Sequence, residues 1–403
     1  MLPGLVDEAA ALIAEARDIV DERVRDDAVP SWCDAREWSS WLLSLDDAAV
    51  DRCETRSLAN EAESLAGAPG SLVGLAGRVR DLLGRIASFP EGSRAGRVRL
   101  ASPRKADQLA RVLEVTAPLV ARCRRIVDVG AGRGALASLI ASSTGKPVVG
   151  IELVEDRVRS AERRAPAEGV TYELRDGVAE GLGLRGDDLA IGLHACGALG
   201  DALVVEAARA GADVALITCC VQKVRGESRR PSSAAGARLG LEFRRDVLGL
   251  ANLTPREQGV EFSTAEAMRA REARSAVRAA LRARGIAVEP GEEMRGLNRR
   301  RALRGSRELI TEALRVRELP PPTAGELDQA EREASRSFAR VRRLSLPRTM
   351  LGPVVELAVV LDRASVLQEA GQSVQVLRLF AQEASPRNLL VIGSREPIPG
   401  WFV

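Results

Sequence analysis

The sequence predicts an α/β protein built on a doubly wound sheet of seven strands. Three observations predict it. Short apolar runs alternate with helical stretches from Arg125 onward, a glycine-rich turn follows the first run, and acids stand where the second and third runs end.

The runs are 126–129 (IVDV), 148–151 (VVGI), 170–174 (VTYEL), 189–193 (LAIGL) and 213–218 (DVALIT). They are short and mostly rich in Val, Ile and Leu, as parallel strands covered on both faces are. After residue 220 the alternation stops for roughly 130 residues, then resumes with a helix at 353–370 and strands at 375–380 and 388–395. The interruption reads as a helical insertion at about 225–350. Its segment 262–317 holds 14 Arg against 7 Asp/Glu, and "ELPPPTAGEL" (318–327) reads as a stiff connector opening another helix.

Ahead of the sheet, Leu5, Leu12, Ile13, Ala16, Ile19 and Val20 recur at helical spacing, so residues 1–88 read as helices. Trp32, Trp38 and Trp41 lie there, which suits a small helical core or a partner surface. Residues 88–105 read as a linker, and Ser102-Pro103 as a serine cap with proline in the first helical position. The expected organisation is an acidic helical domain at 1–95 and a sheet domain at 96–403 carrying the basic insertion.

Composition narrows the class. Hydrophobic residues are 45% and charged residues 29%, as in ordinary soluble globular proteins. The net charge of +3 conceals a split: residues 1–90 hold 9 Arg and 17 Asp/Glu, leaving +11 for the remainder. That split suggests two units with different surfaces. Six cysteines are too sparse for a disulfide framework, which fits a reducing cytoplasm. The amino terminus lacks the basic region of a signal peptide, and no 18-residue apolar run predicts a membrane span.

The glycine turn reads D-x-G-x-G-x-G through Asp128, Gly130, Gly132 and Gly134, with Ala131 inside it. A dinucleotide fingerprint would read G-x-G-x-x-G instead. Glu152 ends the second run, where an acid can hold ribose hydroxyls. Asp176, followed by Gly177, ends the third, where an acid and its neighbouring N–H groups can reach an adenine. Three acids with a glycine loop suit a cationic nucleoside better than a pyrophosphate, and S-adenosylmethionine has that chemistry. The fourth run carries "LAIGLHACG" with His194, the only histidine, at the ligand-binding end of its strand. His194 is a candidate base and cofactor contact. The fifth run leads into Cys219, Cys220 and Lys223, which with His194 are the candidate catalytic residues, Lys223 for meeting an anionic substrate. Cys196, Cys219, Cys220 and His194 read as packing residues or as part of a zinc site. Their spacing is not that of a zinc ribbon or finger, and no metal is assigned. No N-P-P-[YF] follows the fourth run, which argues against a conventional N6-adenine methyltransferase.

With these residues in place, the chain resembles a class I S-adenosylmethionine-dependent methyltransferase with the Rossmann-like sheet of that class. More narrowly, it resembles the ribosomal RNA adenine dimethylase domain-containing group. The matching pieces are "SPRKADQLARV" (102–112), "IVDVGAGRGALA" (126–137), "GLHACGAL" (192–199), "CC" (219–220) and "DRASVLQEAGQSVQVLRLFAQEASPRNLLVI" (362–392). The resemblance covers about 95–403. It implies cofactor contacts at Asp128, Gly130, Gly132, Gly134, Glu152 and Asp176. Val221-Gln222-Lys223 stand where many relatives carry Tyr-His or His-His after the paired cysteines. The expected function is methyl transfer to RNA, bound through the arginine-rich insertion. A protein or small-molecule acceptor is the alternative, and a non-catalytic cofactor-binding protein the second one. The oligomeric state is left open.

Overall fold

The computed structural model describes residues 2–25, 28–90, 103–164, 168–218, 220–253, 264–289, 291–380 and 388–397. Two compact units make up the chain. One comprises residues 1–17, 78–254 and 351–403, the other 18–77 and 255–350. The segment read as one acidic domain is thus divided, and its residues 18–77 group with the basic insertion.

The first unit contains the sheet. Its strands are β1 (Arg125–Val129), β2 (Val148–Glu152), β3 (Val170–Leu174), β4 (Asp188–Leu193), β5 (Asp213–Ile217), β6 (Ser373–Arg378) and β7 (Leu389–Ser394). The spatial order is β3-β2-β1-β4-β5-β7-β6. β1 to β5 are parallel, and β7 is antiparallel to both β5 and β6. The helices are α1 (Leu2–Glu15), α2 (Pro103–Arg122), α3 (Ala135–Thr144), α4 (Glu155–Glu162), α5 (Ala198–Ala210) and α6 (Gly352–Glu369). This is the doubly wound Rossmann-like sheet of class I methyltransferases. The chain runs outward from β1 to β3, then crosses back to β4 on the other side of β1. Ligands bind beside such a reversal, outside the carboxyl ends of the strands.

Alternation of β-branched and aliphatic residues builds the core. Ile126, Leu189, Ile191, Ile217, Leu390 and Ile392 are all buried on the sheet. Leu109, Val112, Val115 and Leu119 recur at helical spacing and bring one face of α2 into the same core. The amino ends of the strands are tied by ion pairs: Arg125 reaches Asp188 at 2.5 Å and Arg122 reaches Asp213 at 2.9 Å, with both acids fully buried.

The second unit explains the charge split. Trp32 and Trp38 are 1% exposed and meet edge to face at 6.3 Å, so they form core. The helix Ala324–Met350 packs against Ser39–Ser44 and Asp47–Arg56. Arg342 pairs with Glu54 at 2.6 Å and also with Asp51, and Arg343 pairs with Asp47 at 2.7 Å. Residues 18–77 contain 13 carboxylates against 5 arginines, and 255–350 contain 21 arginines against 14 carboxylates. The two segments nearly neutralise one another inside one unit.

The turn after β1 requires a close approach that a side chain would block. A Cβ on Gly150 of β2 would lie 2.6 Å from the Tyr172 ring and 2.9 Å from the Ala131 Cβ. Gly150→Ala is expected to lower stability by about 1–3 kcal/mol, the usual cost of overpacking. Denaturant unfolding checks this, and an unchanged midpoint would refute the close approach.

Candidate active site

The glycine turn owes its shape to backbone that L side chains seldom adopt. Gly130, Gly132 and Gly134 have φ of 77°, 60° and 76°. The turn lies directly against β2: the Gly130 and Ala131 amides both donate to the Ile151 carbonyl, at 2.9 and 3.0 Å. Gly134 caps α3, and a Cβ there would meet the Tyr172 hydroxyl at 2.0 Å. The sole tyrosine of the chain therefore supports the loop from beneath.

Glu152 is 5% exposed and joins the loop to the end of β2. Its Oε2 accepts from the Gly132 amide at 2.9 Å, and its Oε1 from the Val154 amide at 2.9 Å. Arg157 lies 3.5 Å away. Leu153, next to it, is 63% exposed, an apolar side chain placed beside the acid assigned to the ribose. Asp176 follows β3 in a turn. Its Oδ1 accepts from the Val178 and Ala179 amides, and Arg225 bonds both its oxygens at 2.7 and 2.5 Å. Those backbone donors, with Arg225, hold its carboxyl below the usual range. Gly177 stands where a Cβ would meet Leu182 at 2.5 Å and Leu199 at 3.2 Å, and Leu199 also lies 3.5 Å from a Cβ placed on Gly130. The first turn of α5 thus bridges the glycine loop and the Asp176 turn, so the three strand ends converge on one crevice.

Asp128 lies at the floor, 2% exposed. Burial raises its carboxyl to about 7, opposed by a hydrogen bond from the Ala137 amide and raised further by the Glu152 charge. Among the described residues its Oδ2 is buried without a hydrogen-bond partner. A cationic ligand would satisfy that oxygen and favour its ionised form. The residues present therefore fit S-adenosylmethionine: Asp128 and the three glycines for its ammonium-bearing end, Glu152 for the ribose, Asp176 and the Val178 region for the adenine.

His194 ends β4 with φ of 68°, a left-handed conformation that few residues other than glycine adopt. Its amide donates to the Ile217 carbonyl at 3.1 Å, and its Nε2 lies 3.3 Å from Gln108 Oε1 on α2. The His194 side chain is exposed. Cys196 Sγ donates to the His194 carbonyl at 3.0 Å. The Lys223 carbonyl accepts from the Ala198 amide at 3.0 Å, and a Cβ on Gly197 would overlap it at 1.9 Å. Only glycine lets the two turns meet, and this contact brings Lys223 and His194 onto neighbouring turns.

Cys220 is half-buried in the turn after β5, and Cys219 lies outside the described residues. Among the described residues no three His, Cys, Asp or Glu side chains stand together as metal ligands. Gln108, Leu153, Leu199 and Arg225 join the site without a motif of their own. The one signal that could have found a member is the exposed leucine directly after the acid of β2.

Asp128→Asn tests the floor. The folded carboxyl titrates above its ordinary range, so ionisation costs the fold stability as pH rises from about 4 to about 7. The asparagine variant is spared that cost. Its melting temperature relative to wild type is expected to rise between pH 5 and pH 8, while calorimetry with S-adenosylhomocysteine shows weakened binding. A pH-independent difference with unchanged affinity would contradict the assignment.

Residues 104–227 match the family described as "Methyltransferase domain". Among solved structures, the chain is similar to DesVI from Streptomyces venezuelae at 20% identity over 28% of this chain and 51% of that one, with TM-score 0.24. It is similar to a TehB-like SAM-dependent methyltransferase from Corynebacterium glutamicum at 17% identity, over 37% and 72%, with TM-score 0.23. A coclaurine N-methyltransferase bound to N-methylheliamine and S-adenosylhomocysteine aligns at 15% identity, over 52% and 62%, with TM-score 0.25. This chain spans about half the length of the DesVI structure. Over residues 104–227 the chain is thus similar to a methyltransferase domain.

Proposed function

We propose that the chain transfers the methyl group of S-adenosylmethionine to a nucleophile presented at the carboxyl ends of β4 and β5. The observation that carries this reading is the convergence of the glycine loop, Glu152 and the Asp176 turn, with His194 exposed just after β4. When bound, the cofactor supplies an electrophilic methyl carbon, and the electron pair of its C–S bond stays with sulfur. Little beyond alignment and removal of one proton is then needed. The His194 imidazole takes the proton that the nucleophile loses, while Gln108 meets the ring at Nε2. The Lys223 side chain is exposed at the rim and orients an anionic part of the acceptor.

For the acceptor, a protein or small molecule is the better-supported reading. RNA was expected because the insertion is rich in arginine, yet many of those arginines are paired with the chain's own carboxylates. Arg274 meets Glu293 at 2.6 Å, Arg284 meets Glu326 at 3.0 Å, and Arg301 meets Glu312 at 2.8 Å. Arg342 and Arg343 are likewise engaged. A guanidinium already bonded to a carboxylate must give that partner up before it can hold a phosphate.

Transfer of tritiated methyl groups in lysate separates the readings. Label is expected to persist after ribonuclease treatment. Loss of label with ribonuclease would restore RNA as the acceptor. Glu152→Ala should weaken S-adenosylhomocysteine binding in calorimetry, and unchanged affinity would remove its ribose role.

A further inference from the structure

The "DRASV" stretch of α6 has no part in the reading above, yet it places two neighbouring charges inside a largely buried helix. Asp362 and Arg363 are both 0% exposed. The Arg363 guanidinium donates to the Gly197 carbonyl at 2.7 Å, to Thr218 Oγ1 at 3.0 Å and to Asp201 Oδ1 at 2.8 Å. Those partners lie in the turn after β4, at the end of β5 and in the first turn of α5. The fit is close, since a Cβ on Gly200 would lie 3.0 Å from the Arg363 Cζ.

A second arginine completes the network. Arg229 bonds Asp201 and Asp362, both at 2.7 Å. Asp362 also accepts from the Ser232 and Ser233 amides and from the Ser233 hydroxyl. Burial alone would raise the Asp201 carboxyl, yet the charges of Arg363 and Arg229 more than offset this and hold it below the usual range.

Stability is a poor reason for such a network. Each buried charge costs several kcal/mol to desolvate, and a well-packed apolar set of equal volume is often as stable or more so. Here α6 is buried along most of its length, and among the described residues Arg229 Nη1 remains buried with no hydrogen-bond partner. What a planar fork supplies is direction, because it fixes several acceptors at set angles.

We propose that Arg363 is a positioning residue for methyl transfer, setting the turn that carries His194 against the β5 turn that leads to Lys223. The proposal rests on reading those two turns as the acceptor side of the site. Arg363 clamps the carbonyl of Gly197 and the hydroxyl of Thr218 together, and the Ala198–Lys223 backbone bond closes the same junction. Asp362 and Arg229 hold the segment 228–233 to this clamp. Loss of the fork would leave the cofactor loop in place and disturb the angle at which His194 faces the acceptor.

His194 is the only histidine, so the full chain labelled with nitrogen-15 gives one imidazole signal set. Arg363→Lys keeps the charge and removes the fork. The His194 ring signals are expected to shift, while the indole signals of Trp32, Trp38 and Trp41 in the other unit stay put. S-adenosylhomocysteine affinity should hold. Methyl transfer at saturating cofactor should fall on the order of 100-fold, the scale set by small misplacements of catalytic groups. Ring signals that superimpose on wild type would overturn the proposal. If Arg363→Lys does not fold, Thr218→Val removes one partner alone and must still move the His194 signals; unmoved signals there also overturn it. Failure of the wild-type chain to bind S-adenosylhomocysteine would defeat the cofactor reading instead, because the His194 shift is read without cofactor.

Discussion

The reversal of strand order between β1 and β4 is the constraint on which everything else depends. Because β1 pairs with β2 on one side and β4 on the other, the turns leaving β1 and β4 part company and leave a crevice. The glycine turn fills one wall of it by pressing two amides onto a single carbonyl, that of Ile151. Tyr172 beneath the loop, Glu152 beside it and Leu199 across it are all consequences of that approach. A loop with side chains could not come so near.

Charge is handled differently at the two ends of the sheet. At the amino ends the buried acids Asp188 and Asp213 are matched by arginines. At the carboxyl end Asp128 is left with an unsatisfied oxygen and a carboxyl titrating at about 7. The first arrangement is closed; the second has capacity left for a ligand. A buried polar atom without a partner is costly, and such costs concentrate where binding later repays them.

The strands and their turns were legible because each carries its own local signal. Runs such as 126–129 and 148–151 announce strands, and the three glycines announce a turn that other residues would strain. Glu152 and Asp176 could be placed because an acid at a strand end has a short list of uses. The partners of these residues were not legible, because Gln108, Leu199 and Arg363 come from sequence-distant elements and only folding brings them in. The charge split between residues 1–90 and the remainder was visible, but not that Asp47 and Glu54 meet Arg343 and Arg342. Sequence reports charge, whereas pairing depends on what folds against what.

That contact also bears on the order in which the molecule assembles. Glu54 and Arg342 are separated by 288 positions, and the entire run from β1 to β5 lies between them. At a ribosomal pace of roughly 5–20 residues per second, the acidic helices emerge on the order of 15–60 s before their basic partner exists. During that interval they are a strongly anionic segment with only part of their core available. Their mutual repulsion opposes premature collapse and association, and it is relieved when the arginine helix arrives. The acidic helices thus stay unneutralised until the arginine helix is made.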